Sequence, residues 1–179
     1  MPAVELRPAT ADDIGGITAL HVDNWRRHYA GALSDAYLAD QAPANRLERW
    51  TTRLGGGPSA AADTTVAVDD AGLLVGFVYT IFDDDPTDGS LLDNLHVASA
   101  RARSGIGTQL MAASAQAVID HRGTTTGLYL TVLEQNVGAQ KVYEARGGQN
   151  IGSEIWHAPD GNDITVFRYV WRDPSVLLG

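Results

Sequence analysis

The sequence predicts one layered α/β domain built on a mixed sheet. Three observations carry that expectation. Strand-like runs follow one another from Thr64 to Val97, separated by turn signals. A helical run then lies between the strand at Leu91 and the one at Leu128; it is a crossover, so that pair is expected to be parallel. The chain closes on a hairpin, Gln149 to His157 and Ile164 to Trp171, around the turn P-D-G-N-D.

Taken in order, Val4 to Pro8 reads as a short first strand. Thr10 then caps a helix, with Asp13 three residues on completing a capping box. Ile14, Ile17, Leu20 and His21 follow at helical spacing, Trp25 and Tyr29 extend the pattern, and Gly31 stops it. Ser34 caps a second helix, which Pro43 ends or bends. Leu47, Trp50 and Leu54 continue a helical stripe, and Gly55 to Asp63 is a loop. Thr64 to Val68 and Leu73 to Phe82 are strands joined by the turn Asp69 to Gly72. Asp83 to Ser90 reads as an acidic loop and Leu91 to Val97 as the next strand. A helix opens near Gly105, Leu128 to Val132 is a strand, and Asn136 caps a last helix that Gly147 and Gly148 end. Ala139, Val142 and Tyr143 form its inner stripe.

With 179 residues the chain suits a single domain spanning 1–179. Its apolar runs are too short and too often interrupted to span a bilayer. The segment M-P-A-V-E-L-R-P has neither a basic nor an apolar signal region, so a cytoplasmic location is expected. No cysteine is present, which excludes a disulfide framework, a thiol nucleophile and a thiolate metal site. The net charge of −9 argues against a nucleic-acid partner; it either serves solubility or favours a cationic small substrate such as an amine. No membrane association and no metal are expected.

Two segments carry chemistry. In L-D-N-L-H-V-A-S-A-R-A-R-S-G-I-G-T-Q-L, Leu92 to Leu110, a strand runs into a loop with Arg101, Arg103, Gly105 and Gly107 that opens a helix. Glycines admit a close ligand, the first helical amides lack intrahelical partners, and arginines add matching charge, so the loop either suits phosphate or is only a tight turn. It lacks the third glycine of a dinucleotide fingerprint and the G-K-[ST] of a Walker loop. In L-T-V-L-E-Q-N-V-G-A-Q-K-V-Y-E-A-R-G-G, Leu130 to Gly148, a strand delivers Asn136 to a helix start, with Tyr143 two turns on. Asn136 serves either as a cap or as a ligand contact; Tyr143 is either a packed aromatic or a functional hydroxyl.

Together, in this order, these segments resemble the GNAT superfamily of N-acetyltransferases. The loop A-R-S-G-I-G, Ala102 to Gly107, resembles [QR]-x-x-G-x-[GA]; Asn136, Ala139, Tyr143 and Gly147 match N-x-x-A-x-x-x-Y-x-x-x-G in full. The N-terminal W-R-R-H-Y-A-G-A-L-S-D-A-Y-L is also similar to the first helices of many members, so the likeness spans most of the chain. Ala102 stands where Gln or Arg is usual, Ser99 where proline is common, and Gly148 where Phe is usual.

The resemblance implies a mixed, mostly antiparallel twisted sheet with one central parallel, splayed strand pair and helices on both faces. It implies acetyl-CoA as acyl donor and direct acetyl transfer to an amine of a small molecule or peptide. Pantetheine would run along Leu95, His96 and Val97, pairing with the backbone of the first and last. The diphosphate would sit on the amides of Arg103, Ser104, Gly105, Ile106, Gly107 and Thr108, and Asn136 would bond to the pantetheine arm. Tyr143 would protonate the leaving thiolate. Asp93 is the first candidate for the base that takes the amine proton, and Glu134 the second. Strand alternation places Asp93 with Leu95 and Val97, and Asn94 and His96 on the other face, which turns His96 away from the cofactor backbone. The acceptor pocket is expected between the first helices, the hairpin at Pro159 and the strand end at Phe82, with Trp25, Tyr29, Trp50 and Trp156 as candidates. The terminal strands would supply the edge or apolar face of a homodimer. The competing reading is a non-catalytic CoA-binding sensor or interaction module of the same fold. That reading predicts loss of the tyrosine or the glycines, and both are present.

Overall fold

A computed structural model describes residues 4–121, 123 and 125–179. Met1 to Ala3, the start of the segment read above for a leader, lie outside them. The described chain contains β1 (Val4–Pro8), α1 (Ile14–His28), α2 (Ala42–Leu54), β2 (Ala62–Asp69), β3 (Leu74–Asp85) and β4 (Gly89–Val97). It continues with α3 (Ile106–His121), β5 (Leu128–Leu133), α4 (Val137–Ala145), β6 (Gln149–His157) and β7 (Asp163–Trp171).

The seven strands form one sheet in the order β1-β2-β3-β4-β5-β7-β6. Every neighbouring pair is antiparallel except β4 and β5, which the α3 crossover makes parallel. Only Ser90↔Leu128 and Leu91↔Tyr129 pair there, so the two strands part beyond Leu91. Ala98 N–H bonds to Val75 C=O on the β3 side. Backbone alternation therefore turns the polar groups of Val97 and Leu95 toward the gap.

Each face is covered by helices. On one, Ile106, Leu110, Met111, Ala115 and Val118 of α3 pack on Val78, Leu92, Leu128, Leu130, Tyr169 and Trp171. On the other, Ile17 and Leu20 of α1 and Trp50 and Leu54 of α2 pack on Val66 and Phe77. A third cluster joins Trp25, Leu33, Tyr37, Leu38 and Ala42 to Ala158 of the terminal hairpin.

Two local features differ from the expectations, and a third decides between alternatives. Pro43 does not end the second helix. Residues 35–54 run helically through a π-turn at Tyr37–Gln41, in which Ala42 N–H reaches back to Tyr37 C=O, and Pro43 sits in the first turn of α2. The stretch Asp83 to Ser90 is mostly strand, with the turn confined to residues 86–88, because its carboxylates find partners along the ladder. Tyr129 O–H donates to Asp84, and Arg168 Nη1 lies 2.8 Å from Asp88 Oδ2 and 3.4 Å from Asp85 Oδ2. The buried stripe of α2 is Ala42, Arg46, Trp50 and Leu54, whereas Leu47 is exposed. Spacing of four thus puts an arginine in line with the core positions.

Candidate active site

The gap between β4 and β5 is a cleft of about 490 Å³. Leu95, His96 and Val97 form one wall, Leu130, Thr131 and Val132 a second, and Asn136, Ala139, Val142 and Tyr143 a third, with Arg103 at its mouth. The cleft therefore brings together the strand, loop and helix segments singled out in the sequence. α4 has no fully buried residue because its inner stripe faces this cleft; Val142 is exposed, and Tyr143 is half-buried against Tyr169 and Trp171. Burial, with Tyr29 nearby, raises the Tyr143 pKa well above that of a free phenol, so the hydroxyl stays protonated.

The loop from β4 to α3 is shaped for an anion at its end. Gly105 has φ +85°, a left-handed conformation that a side chain would strain, and open space lies where its Cβ would project. The amides at the start of α3 have no intrahelical partner by construction. Arg101 does not line the cleft: its guanidinium is held 2.7 Å from Asp69 at the β2–β3 turn. Arg103, at φ +62°, does line it. Arg146 was not foreseen; its Nη2 donates to Thr108 Oγ1 at 3.2 Å, bringing a second cation beside the first turn of α3. Gly148 accommodates Trp171, since a Cβ there would lie 2.7 Å from the indole. That ring fills the space a phenylalanine would need.

Asn136 Oδ1 accepts from Ala139 N–H at 3.2 Å, so it caps α4, and the same residue lines the cleft. The cap and ligand-facing positions are thus compatible. Asn24 of α1 donates from Nδ2 to Val97 C=O at 3.1 Å and occupies one of the edge carbonyls.

β4 carries a bulge at Asp93. Asn94 pairs with Tyr79 and Leu92 with Thr80, which leaves Asp93 as the extra residue. The expected alternation fails here. Arg53 of α2 donates to Asp93 Oδ2 at 2.6 Å and to Asn94 Oδ1 at 2.8 Å, so both side chains face the α1–α2 side. The guanidinium also sits 4.0 Å from the Tyr79 ring centroid. His96 faces that side too, stacked at a tilt 4.6 Å from His21, while its residue still lines the cleft. Burial, then the positive charges of His28 and Arg46, pull its pKa down to about 3. The imidazole is neutral at ordinary pH.

A second pocket of about 310 Å³ meets the cleft on the α1–α2 side. The two share Tyr29, Asp93, Asn94 and Thr131, which form the neck between them. Beyond the neck lie Trp25, Arg46, Arg49, Trp156, His157 and Pro159. Burial, then the Asp93 charge, raises the Tyr29 hydroxyl to about 12. Gln135, after β5, donates to the carbonyls of His28 and Ala30 and ties this loop to the end of α1.

Several sequence candidates fall elsewhere. Trp50 is fully buried, with its indole N–H on His21 Nδ1 at 3.1 Å; it belongs to the core. Phe82 stacks on His121 at 4.1 Å, remote from the pocket lining. Glu134 is exposed and lines a separate groove with Ala32 and Ile164. Arg46 and Arg53 were missed. The signal for Arg46 was its position four residues from both Ala42 and Trp50 on the buried stripe.

A sheet whose one parallel pair opens into a cleft, with a glycine loop at a helix start and a tyrosine on the opposite wall, defines an acetyltransferase architecture. Residues 17–148 match the Acetyltransferase (GNAT) family, and the chain belongs to it. The N-acetyltransferase YuaI of Bacillus subtilis (strain 168), itself described as uncharacterized, is 28% identical over 177 residues, or 97% of this chain and 96% of that protein. The fold is shared by paia N-acetyltransferase from Thermoplasma acidophilum in complex with coenzyme A, at TM-score 0.62 and 18% identity over 94% of this chain and 99% of that one. It is also shared by yncA from Salmonella typhimurium with acetyl-CoA, at TM-score 0.67 and 15% identity over 94% and 93%.

Proposed function

We propose that the protein transfers an acetyl group directly from acetyl-CoA to an amine, across the neck between the two pockets. The observation that carries this reading is the neck itself: Asp93 and Tyr29 border both the cleft and the second pocket, so a thioester and an amine can meet there. The bound coenzyme A and acetyl-CoA in the two structural neighbours support the cleft as the donor site.

In this reading pantetheine enters along Leu95, His96 and Val97 and adds to the open edge of β4. The diphosphate rests on the loop Arg103 to Thr108, drawn by the helix-start amides and by Arg103 and Arg146. Asn136 caps α4 with Oδ1 and offers Nδ2 to the pantetheine arm. The amine enters past Trp25 and Tyr29. Arg53 fixes the Asp93 carboxylate through Oδ2, and Asp93 takes the amine proton directly or through one water. The nitrogen attacks the thioester carbon, the C–S bond breaks, and Tyr143, held neutral by burial, gives its proton to the departing sulfur. Asp93 is favoured over Glu134 because only Asp93 borders the neck. Acetyl-CoA turnover against a panel of amines, read as free thiol, tests the function. Amine-dependent thiol release is expected; CoA binding with no turnover against any amine would favour the sensor reading.

A homodimer is part of the same proposal. β6 is exposed along almost its whole length, with Ile151 and Ile155 near half exposure, and Val137 of α4 adds apolar surface. Light scattering should give twice 19.1 kDa at micromolar concentration; the single value would contradict it.

A further inference from the structure

The second pocket has a charge balance opposite to that of the chain. The protein carries −9 overall, yet Arg46 and Arg49 line this pocket, and its carboxylate, Asp93, is already paired with Arg53. Arg46 is only 6% exposed. Its guanidinium donates to the neutral Asn45 Oδ1 and lies 4.4 Å from the Trp25 ring centroid. Among the described residues no carboxylate forms an ion pair with Arg46 or Arg49. Burial pulls the Arg46 pKa down to about 10, which still leaves it charged at neutral pH. Asp93 attracts Arg46 only from beyond ion-pair distance. A buried cation without an ion-pair partner of its own is costly, and an arginine fork matches a carboxylate in shape and charge.

We infer that the acceptor is an amino carboxylate: an amine whose carboxylate is held by Arg46, with Arg49 at the rim, and whose nitrogen is thereby directed to Asp93 at the neck. The inference rests on the transferase reading for the fate of the amine, but not for the binding of the carboxylate. Trp25 and Trp156 wall the pocket and fit an apolar or aromatic side chain on such a molecule. A polyamine is disfavoured, because two guanidinium groups without ion-pair partners would repel it.

The test compares the common L-amino acids, each with the amine left when its carboxyl group is replaced by hydrogen, and adds spermidine. Calorimetry on the full chain saturated with CoA reads binding without turnover; thiol release from acetyl-CoA reads transfer. At least one amino acid should bind and react roughly 10²-fold better than its matched amine, the scale of a charge-assisted, two-point contact. Arg46→Met should collapse that ratio to within about 10-fold, and Arg46→Lys, which keeps charge but loses the fork, should fall between. Thermal melting of both variants with CoA checks that they fold. The inference is overturned if no amino acid binds, if matched amines or spermidine do as well, or if the ratio survives in a folded Arg46→Met. Amino-acid binding without thiol release would keep the carboxylate site and contradict the transferase reading instead.

Discussion

Arg53 on α2 holds Asp93 on β4 by an ion pair of 2.6 Å, and its other Nη reaches Asn94 at 2.8 Å. One guanidinium thus fixes two successive side chains of the β4 bulge on the same side of the sheet. The Arg53 side chain is 9% exposed, so the pair is poorly screened.

That arrangement predicts different outcomes for its two members. Arg53→Met strips the partner and the ring contacts and should lower stability by about 2–4 kcal/mol, since a half-buried carboxylate is left alone. Asp93→Asn keeps the shape and should cost less stability, while flattening the acidic limb of the pH–rate profile and lowering kcat by roughly 10²-fold. Denaturant melts and pH–rate profiles of both variants check this. An unchanged profile in Asp93→Asn would move the base to a water chain or another group.

The bulge also marks a limit of what the sequence discloses. The loop A-R-S-G-I-G and the pair Asn136 and Tyr143 were legible because each motif is contiguous and its geometry is local: a strand end, a glycine turn, a helix start. Asp93 was singled out, but its orientation was not foreseen, because strand alternation assumes an unbroken ladder and an inserted residue leaves no trace in composition. Arg53 lies 40 residues from Asp93, and nothing local announces such a contact. Arg46 belongs to no motif; only its spacing of four from Ala42 and Trp50 puts it on the buried stripe. Trp50 looked like a pocket aromatic, but its polar edge is satisfied inside the core by His21.

A substitution at Gly107 is expected to separate cofactor binding from folding. A Cβ there meets only Val97 Cγ2 at 3.8 Å, so the fold has room, whereas any side chain at Gly105 is strained by its positive φ. Gly107→Val should therefore melt within about 1 kcal/mol of the parent and bind CoA at least about 10-fold more weakly, because its branches would crowd the helix-start amides. Calorimetry with CoA checks it; unchanged affinity would remove the diphosphate from this loop.

His21 gives the protein an acid-side sensitivity. It is fully buried, its Nδ1 accepts the Trp50 indole proton, and its Nε2 finds no partner among the described residues. Burial is the largest cause that holds its pKa well below 6.5; the adjoining His96 ring and the charges of Arg46, Arg53 and Arg49 add to it. Below pH 6.5 the unfolded chain gains a proton that the folded chain refuses, so stability is lost as pH falls. The slope from this group reaches about 1.4 kcal/mol per pH unit. Urea titrations between about pH 4.5 and 6.5, above most carboxylate titration, should show that His21→Asn reduces the slope by up to this amount. An equal slope would mean His21 carries its proton in the folded state.

The account rests most on Tyr143 as the acid that releases CoA. Tyr143→Phe removes one hydroxyl from the cleft wall and leaves the ring against Tyr169 and Trp171. Single-turnover acetyl transfer with saturating acetyl-CoA and amine, set beside CoA affinity, tests it most directly. Affinity should hold within a few-fold while the transfer rate falls by roughly 10²-fold, the scale of a lost general acid. Transfer at the full parental rate would contradict the account and leave Tyr143 a packed aromatic.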